Sequence, residues 1–280
     1  MAIKFGSWNV EGRLSNYAPD ARGSAEQIMD GIEALDADIV VLPEAYLEGS
    51  AEGVDERLEG MGYEVHDIAY GDNDRDWSKE FMGKMPYLRV LSRIAISNMT
   101  EVSWGDARNM LAFTATDPET QKDVQILATH LDDRSEELRD KQIDDVISYI
   151  NESEIPVIML GDFNAMWRTK RARILGSRAM RFIARHIPHA GIRDTAVRLT
   201  DMATGSVLQR LALEANMRDA DPKKRATTTP KMRDISFMPS IRLVQIDHIL
   251  MSDGVEAEDY AVGGDGGSDH RAISATIHLK

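Results

Sequence analysis

The sequence predicts an α/β protein made of two packed sheets with helices outside them, rather than one doubly wound parallel sheet. Three observations carry this. Many short strand-like runs share the chain with only a few long helices. A helix followed by a strand occurs twice, over residues 24–42 and 135–160, which hints at two similar halves although no direct repeat is visible. Polar residues recur where the apolar runs stop.

Residues 4–10 read as a first strand, with Phe5 and Ser7 alternating and Asn9 at its end. Ser24 caps a helix through Leu35, with Ile28, Ile32 and Leu35 on one face. Residues 38–42 form a nearly all-apolar strand that ends at Pro43-Glu44, followed by a short helix over 52–61 and a strand over 63–70. Residues 71–86 are polar and turn-rich, the pattern of a surface loop. Strands follow at 88–97, 109–116 and 124–129, the last two joined by the turn Asp117-Pro118-Glu119-Thr120. A second long helix over 135–150 turns Ile143, Val146, Ile147 and Ile150 inward. The run Ile155-Pro156-Val157-Ile158-Met159-Leu160 is a buried strand closed by Gly161. Residues 165–240 read as a helical insertion, basic at first and then turn-rich around Asp221-Pro222 and Thr227-Thr228-Thr229-Pro230. Strands return at 241–251, 255–262 and 271–279.

At 280 residues the chain suits a single domain spanning 1–280, which would bury roughly 75% of its extended-chain surface without staples. It has no cysteine, which removes disulfides, thiolate metal sites and cysteine nucleophiles together. No charged segment with an apolar stretch after it opens the chain, and no run approaches 18 apolar residues. A cytoplasmic protein without a transmembrane segment is expected, and no obligate protein partner is implied. The net charge of −14 disfavours polyanions unless a local basic surface or bound cations intervene. Such a surface is available: seven basic residues and no acidic one lie between Arg168 and Arg185.

Collected in order, the polar strand-end residues are Asn9, Glu44, His130, Asp162 with Asn164, Asp247 with His248, and Asp269 with His270. Any one alone reads as a turn or cap. Six sites drawn only from Asn, Asp, Glu and His are poorly explained as independent turns. Strand-end loops are where α/β sheets collect ligands. A carboxylate and a carboxamide two positions apart, as in Gly161-Asp162-Phe163-Asn164, offer hard oxygens to a metal or grip the oxygens of a phosphate. Asp247 is the sharpest case. A charge in an apolar strand is costly unless paired, and a histidine brought near by the fold is its expected partner.

This set resembles the endonuclease/exonuclease/phosphatase superfamily, the fold of deoxyribonuclease I and the abasic-site endonucleases. Trp8-Asn9, Glu44, Thr129-His130-Leu131, Gly161-Asp162-Phe163-Asn164, Ile246-Asp247-His248-Ile249 and Ser268-Asp269-His270 fall in the family's motif order over residues 3–279. Ser92-Arg93 and Arg139 with Gln142 resemble recurrent secondary positions. Pro43 departs from the family's usual Gln. His130 matches the deoxyribonuclease-, sphingomyelinase- and phosphatase-like members rather than the abasic-site endonucleases, which carry Tyr.

The resemblance implies a four-layer α/β sandwich of two mixed sheets flanked by helices, and a metal-dependent phosphoric ester hydrolase. Its expected metal ligands are Glu44, with Asn9 and Asp269 close by, for Mg²⁺ or alternatively Mn²⁺. Its expected catalytic residues are His130, Asp162, Asn164, Asp247 and His270. His270 held by Asp247, or else Asp162, would activate the attacking water, while Asn164 and His130 donate to phosphoryl oxygens. The expected substrate is nucleic acid, DNA or RNA, with Arg168, Arg171 and Arg173 as candidate phosphate contacts. A phosphomonoesterase or phospholipase-type enzyme, sphingomyelinase- or inositol-phosphatase-like, is the alternative.

Overall fold

In the computed structural model, which describes residues 2–14, 24–46, 52–69, 86–104, 108–133, 135–167, 169–228 and 244–280, the apolar runs assemble into two six-stranded sheets. The first contains β1 (Ile3–Ser7), β2 (Ile39–Tyr46), β3 (Glu64–Ala69), β4 (Pro86–Ser92), β11 (Val255–Val262) and β12 (Ile273–Leu279), in the order β11-β12-β1-β2-β4-β3. The second contains β5 (Ile96–Ser103), β6 (Asn109–Thr116), β7 (Asp123–His130), β8 (Val157–Asp162), β9 (Arg218–Asp219) and β10 (Asp247–Met251), in the order β5-β6-β7-β8-β10-β9.

Both sheets follow one plan. In each, only the central pair is parallel, β1 with β2 and β7 with β8, and every other neighbour is antiparallel. Parallel neighbours need a crossover, and helices α1 (Ala25–Leu35) and α3 (Glu136–Glu152) supply the two. The twofold helix-then-strand order of the sequence is this repeated unit. Ser24 starts α1 with a capping box shared with Gln27, and Ser135 caps α3 through the Leu138 amide.

Packing makes four layers. The facing sides of the sheets share one core, including Phe5, Val41, Val90, Phe113, Ile126, Leu160, Ile249 and Ile273. The outer side of the first sheet, through Val40, Leu42 and Leu91, buries Ile28 and Ile32 of α1 and Leu58 of α2 (Val54–Gly60). The outer side of the second, through Leu127, Met159 and Leu250, buries Ile143 and Val146 of α3. An α/β/β/α sandwich results, as the resemblance implied.

The stretch 165–240 contains α4 (Lys170–Leu175), α5 (Arg178–Arg185), α6 (Ala190–Thr204) and α7 (Val207–Glu214). Its helical character is as expected, but β9 within it joins the edge of the second sheet, and Leu208 and Leu211 of α7 enter the core beside α3.

Two strand assignments are corrected. Residues 88–97 are not one strand: β4 and β5 lie in different sheets. The apolar pattern runs on through the break, which is made by long-range bonds. The Arg93 amide donates to the Asp38 carbonyl (2.8 Å), its guanidinium to the Met61 carbonyl (3.1 Å), and Ser92 Oγ to the Ile94 carbonyl (2.7 Å). Of the strand expected over 241–251, the described part, 244–251, is not continuous either. β10 begins at Asp247, and Val244 is bridged separately to Thr228. The loop expected at 71–86 lies outside the described residues up to position 85, and Pro86 opens β4.

Candidate active site

The ends of β1, β2, β7, β8 and β10 meet at one edge of the sandwich. Parallel pairing sets the register: Thr129 faces Gly161, and His130 faces Asp162. Antiparallel pairing then places Asp247 opposite Asp162. Gly161 is required here. Its φ is +144°, and a Cβ would stand 1.8 Å from the Thr129 carbonyl oxygen. Glu44 sits at a bulge where the β2–β4 register shifts between Leu42 and Ala45, with φ +56°. Left-handed backbone at a glutamate costs about 1–3 kcal/mol and is kept where surrounding bonds enforce it. Here Val10 N donates to the Pro43 carbonyl (3.1 Å) and Gly12 N to that of Glu44 (2.8 Å).

Asn9 joins the two acids of the parallel strand ends. Its Nδ2 donates to Glu44 Oε1 and Asp162 Oδ2, both at 3.0 Å, while its Oδ1 accepts the Glu11 amide (3.0 Å). Asp162 Oδ1 accepts the amide of Asn164 (2.9 Å), and Asn164 Nδ2 donates to the Leu131 carbonyl (3.0 Å), using one of its amide hydrogens. His130 Nε2 lies 3.5 Å from Asp162 Oδ2 and 3.8 Å from Glu44 Oε1. His270 Nδ1 donates to Asp247 Oδ1 and Oδ2 at 3.1 and 3.0 Å, leaving Nε2 3.7 Å from Asp162 Oδ2 and 3.9 Å from Asp269 Oδ1. The paired histidine expected for Asp247 is therefore His270.

Charge in this cluster is set by burial. Asn9, His130, Asp162, Asn164 and Asp247 are all buried, while Glu44 and Asp269 keep partial exposure. Burial pushes the Asp162 carboxyl up to about 7, against the opposing pull of the His270 charge, and it also raises Glu44. Burial and the neighbouring Arg108 guanidinium hold His130 well below its ordinary range. Burial alone would lower His270 as well, but the Asp247 and Asp162 carboxylates outweigh it and hold the ring well above its ordinary value. The cluster thus contains a neutral imidazole, an imidazolium and a carboxyl that titrates near neutrality.

Two residues of this site, Arg108 and Thr227, gave no motif signal. Arg108 Nη1 donates to His130 Nδ1, so the neutral ring keeps its proton on Nε2, facing the carboxylates. Thr227 Oγ1 donates to Asp247 Oδ2 (2.6 Å) and accepts the Ile246 and Asp247 amides. Ser268 Oγ donates to the Asn9 carbonyl (2.8 Å), and Trp8, a buried core residue, donates its indole N–H to the His270 carbonyl (3.2 Å). His248 turns away from the cluster, its two nitrogens on Asp219 Oδ2 (2.9 Å) and the Ala165 carbonyl (3.0 Å). Single polar residues such as Arg108 and Thr227 are visible in sequence only once the register is known.

Asp162, Asp247 and His270 present ligand atoms within 4.8 Å of one another, a group that could hold a metal ion. His270 Nδ1 and both Asp247 carboxylate oxygens are engaged with each other, however. Glu44, with Asp269 beside it, offers partly exposed carboxylate oxygens instead. Glu44 and Asp162, both raised by burial, are short of positive charge, and hard oxygen donors in that state suit a divalent cation such as Mg²⁺. Of the candidate phosphate contacts, Arg173 is exposed on α4, and no hydrogen bond among the described residues joins it to the cluster. Arg168 and the Arg171 side chain lie outside the described residues.

The chain matches the Endonuclease/Exonuclease/phosphatase family over residues 6–270. It is similar in structure to the human Nocturnin catalytic domain with bound sulfate, at 16% identity and TM-score 0.67, covering 100% of this chain and 95% of that one. It is also similar to a family protein from Leptotrichia buccalis, at 16% identity and TM-score 0.64, covering 99% and 100% of the two chains. A third is ANGEL2, a 2',3'-cyclic phosphatase, in complex with adenosine-2',3'-vanadate, at 13% identity and TM-score 0.64, covering 100% and 96%. At these identities the likeness establishes the fold. No curated protein matches by sequence.

Proposed function

We infer the function from the premise that this chain belongs to the endonuclease/exonuclease/phosphatase family and is a phosphoester hydrolase. Our reading is a Mg²⁺-dependent phosphodiesterase that cleaves nucleic acid, DNA or RNA, by in-line attack of an activated water. The observation that carries it is the pairing of a near-neutral buried carboxyl, Asp162, with the Asp247-held imidazolium of His270.

Hydrolysis of a phosphate ester needs an activated water, neutralised phosphoryl charge and a stabilised leaving oxygen. A base works best when its pKa lies near the working pH, which favours Asp162 over His270 for taking the water's proton. His270, already charged, is suited to donate from Nε2 to a phosphoryl oxygen, with Asp247 fixing the ring. Neutral His130 donates from Nε2 beside it, and Asn164 orients Asp162 through its backbone amide. Glu44, Asn9 and Asp269 would hold Mg²⁺, or Mn²⁺ in its place; Asn9 Oδ1, which accepts the Glu11 amide, keeps a second lone pair for the ion. When bound, the ion supplies Lewis-acid polarisation of the phosphoryl group. Arg168, Arg171 and Arg173 are the proposed contacts to neighbouring phosphates, on a helical insertion of one domain, in a cytoplasmic protein.

A second reading, a phosphomonoesterase or phospholipase-type enzyme, is favoured by one observation. Ile174, Phe182 and Ile183 are exposed among the arginines, and the two isoleucines match no group of a sugar-phosphate backbone. A panel with and without Mg²⁺ separates the two: plasmid, single-stranded DNA, RNA, sphingomyelin and inositol phosphates. Cleavage of the polymers supports the first reading. Turnover confined to lipid or small phosphates replaces it with the second.

A further inference from the structure

We propose that the α4–α5 surface docks the protein on an anionic lipid bilayer, which goes beyond both readings because it concerns where the chain works rather than which bond it cuts. Helix α5 has two chemically distinct sides. At about 100° per residue, Ala179, Met180, Phe182, Ile183 and Ala184 share one arc, and Arg178, Arg181 and Arg185 the opposite one. An ordinary surface helix buries its apolar arc. This one buries only the Ala184 edge: Phe182 is 65% exposed and Ile183 55%.

Ile174, on α4 immediately before, is 65% exposed. Three of the five exposed large hydrophobics among the described residues therefore fall within ten positions of one another. Scattered singly, such residues need no explanation; grouped in the acid-free basic stretch from Arg168 to Arg185, they do. The Phe182 ring also stacks on His186 (centroids 4.1 Å apart), which holds it beside the helix at the surface.

The combination selects the partner. Cations alone serve any polyanion, since counterion release is indifferent to apolar neighbours. Phenyl and sec-butyl groups laid bare among guanidinium groups match a bilayer interface, where arginines meet lipid phosphates and apolar groups enter the acyl boundary. A lipid surface carrying net negative charge satisfies both halves of the helix; duplex DNA satisfies one.

The test is co-sedimentation of the full chain with vesicles of phosphatidylcholine alone and of phosphatidylcholine with 30% phosphatidylserine, for wild type, Phe182→Ser/Ile183→Ser and Arg178→Gln/Arg185→Gln. These side chains face solvent, so circular dichroism and hydrolysis of bis(p-nitrophenyl) phosphate should be unchanged. Binding is expected only to the anionic vesicles, weakened about tenfold or more in each double variant. No binding to anionic vesicles would overturn the proposal. So would binding that salt abolishes but the Ser/Ser variant leaves intact, the signature of a purely electrostatic surface. Loss of duplex DNA affinity in the Ser/Ser variant would assign the surface to nucleic acid instead.

Discussion

Asp162→Asn should make the protein more stable in alkaline buffer. The buried carboxyl titrates at about 7, whereas in the unfolded chain it returns to about 4. Between those values the folded protein holds a proton that the unfolded chain has lost, so each unit of rising pH costs the fold about 1.4 kcal/mol. The whole window amounts to about 4 kcal/mol, of which about 3 kcal/mol accrues between pH 5 and pH 8. Asparagine cannot ionise and escapes this cost. It gives up the Asn9 Nδ2 bond to Asp162 Oδ2 (3.0 Å), a contact to a protonated carboxyl of about 0.5–1.5 kcal/mol, and can keep the Asn164 amide bond through its oxygen. The balance leaves the variant close to wild type at pH 5 and about 3 kcal/mol more stable at pH 8.

Urea melts of both proteins in metal-free buffer at the two pH values measure this. His270, whose pKa is raised, contributes stability that is complete below about 6.5 and fades as pH climbs through its folded value. Asp162 helps to raise that pKa, so the difference between the two proteins reports the Asp162–His270 pair. A stability difference that is the same at pH 5 and pH 8, or larger at pH 5, would refute a raised Asp162.

Other outcomes follow from single contacts. Gly161→Ala puts a Cβ 1.8 Å from the Thr129 carbonyl on a positive-φ backbone and should cost more than about 3 kcal/mol or prevent folding; a melting temperature near that of wild type would contradict the register. Thr227→Val keeps the shape but removes the 2.6 Å bond to buried Asp247, so urea melts should show a loss of about 1.5–3 kcal/mol; a change inside the error of the melts would show that the bond carries nothing. Wild type should melt higher in millimolar Mg²⁺ than in chelator, and Glu44→Gln should lose most of that increment; equal Mg²⁺ responses would move the metal away from Glu44.

How much of this was legible in sequence depended on whether a signal was local. Asp247 stood out because a charge beside an apolar run demands a partner, and the partner proved to be His270. Gly161-Asp162-Phe163-Asn164 was legible because a strand end, a glycine and two polar side chains lie within four residues. Arg108 and Thr227 act through contacts separated by 20 or more positions, to His130 and Asp247, and a lone Arg or Thr looks like any surface residue. The β4–β5 break was hidden for the same reason. Its apolar pattern is continuous, and the bonds that bend it come from Asp38 and Met61.

Turnover of Asp162→Asn with Mg²⁺ and bis(p-nitrophenyl) phosphate, measured beside wild type at pH 7.5, is the sharpest test of Asp162 as the base. Removing a general base should lower kcat by about 10²–10⁴-fold in a protein that melts no lower than wild type. A kcat within a few-fold of wild type would contradict the assignment of Asp162 and the mechanism built on it.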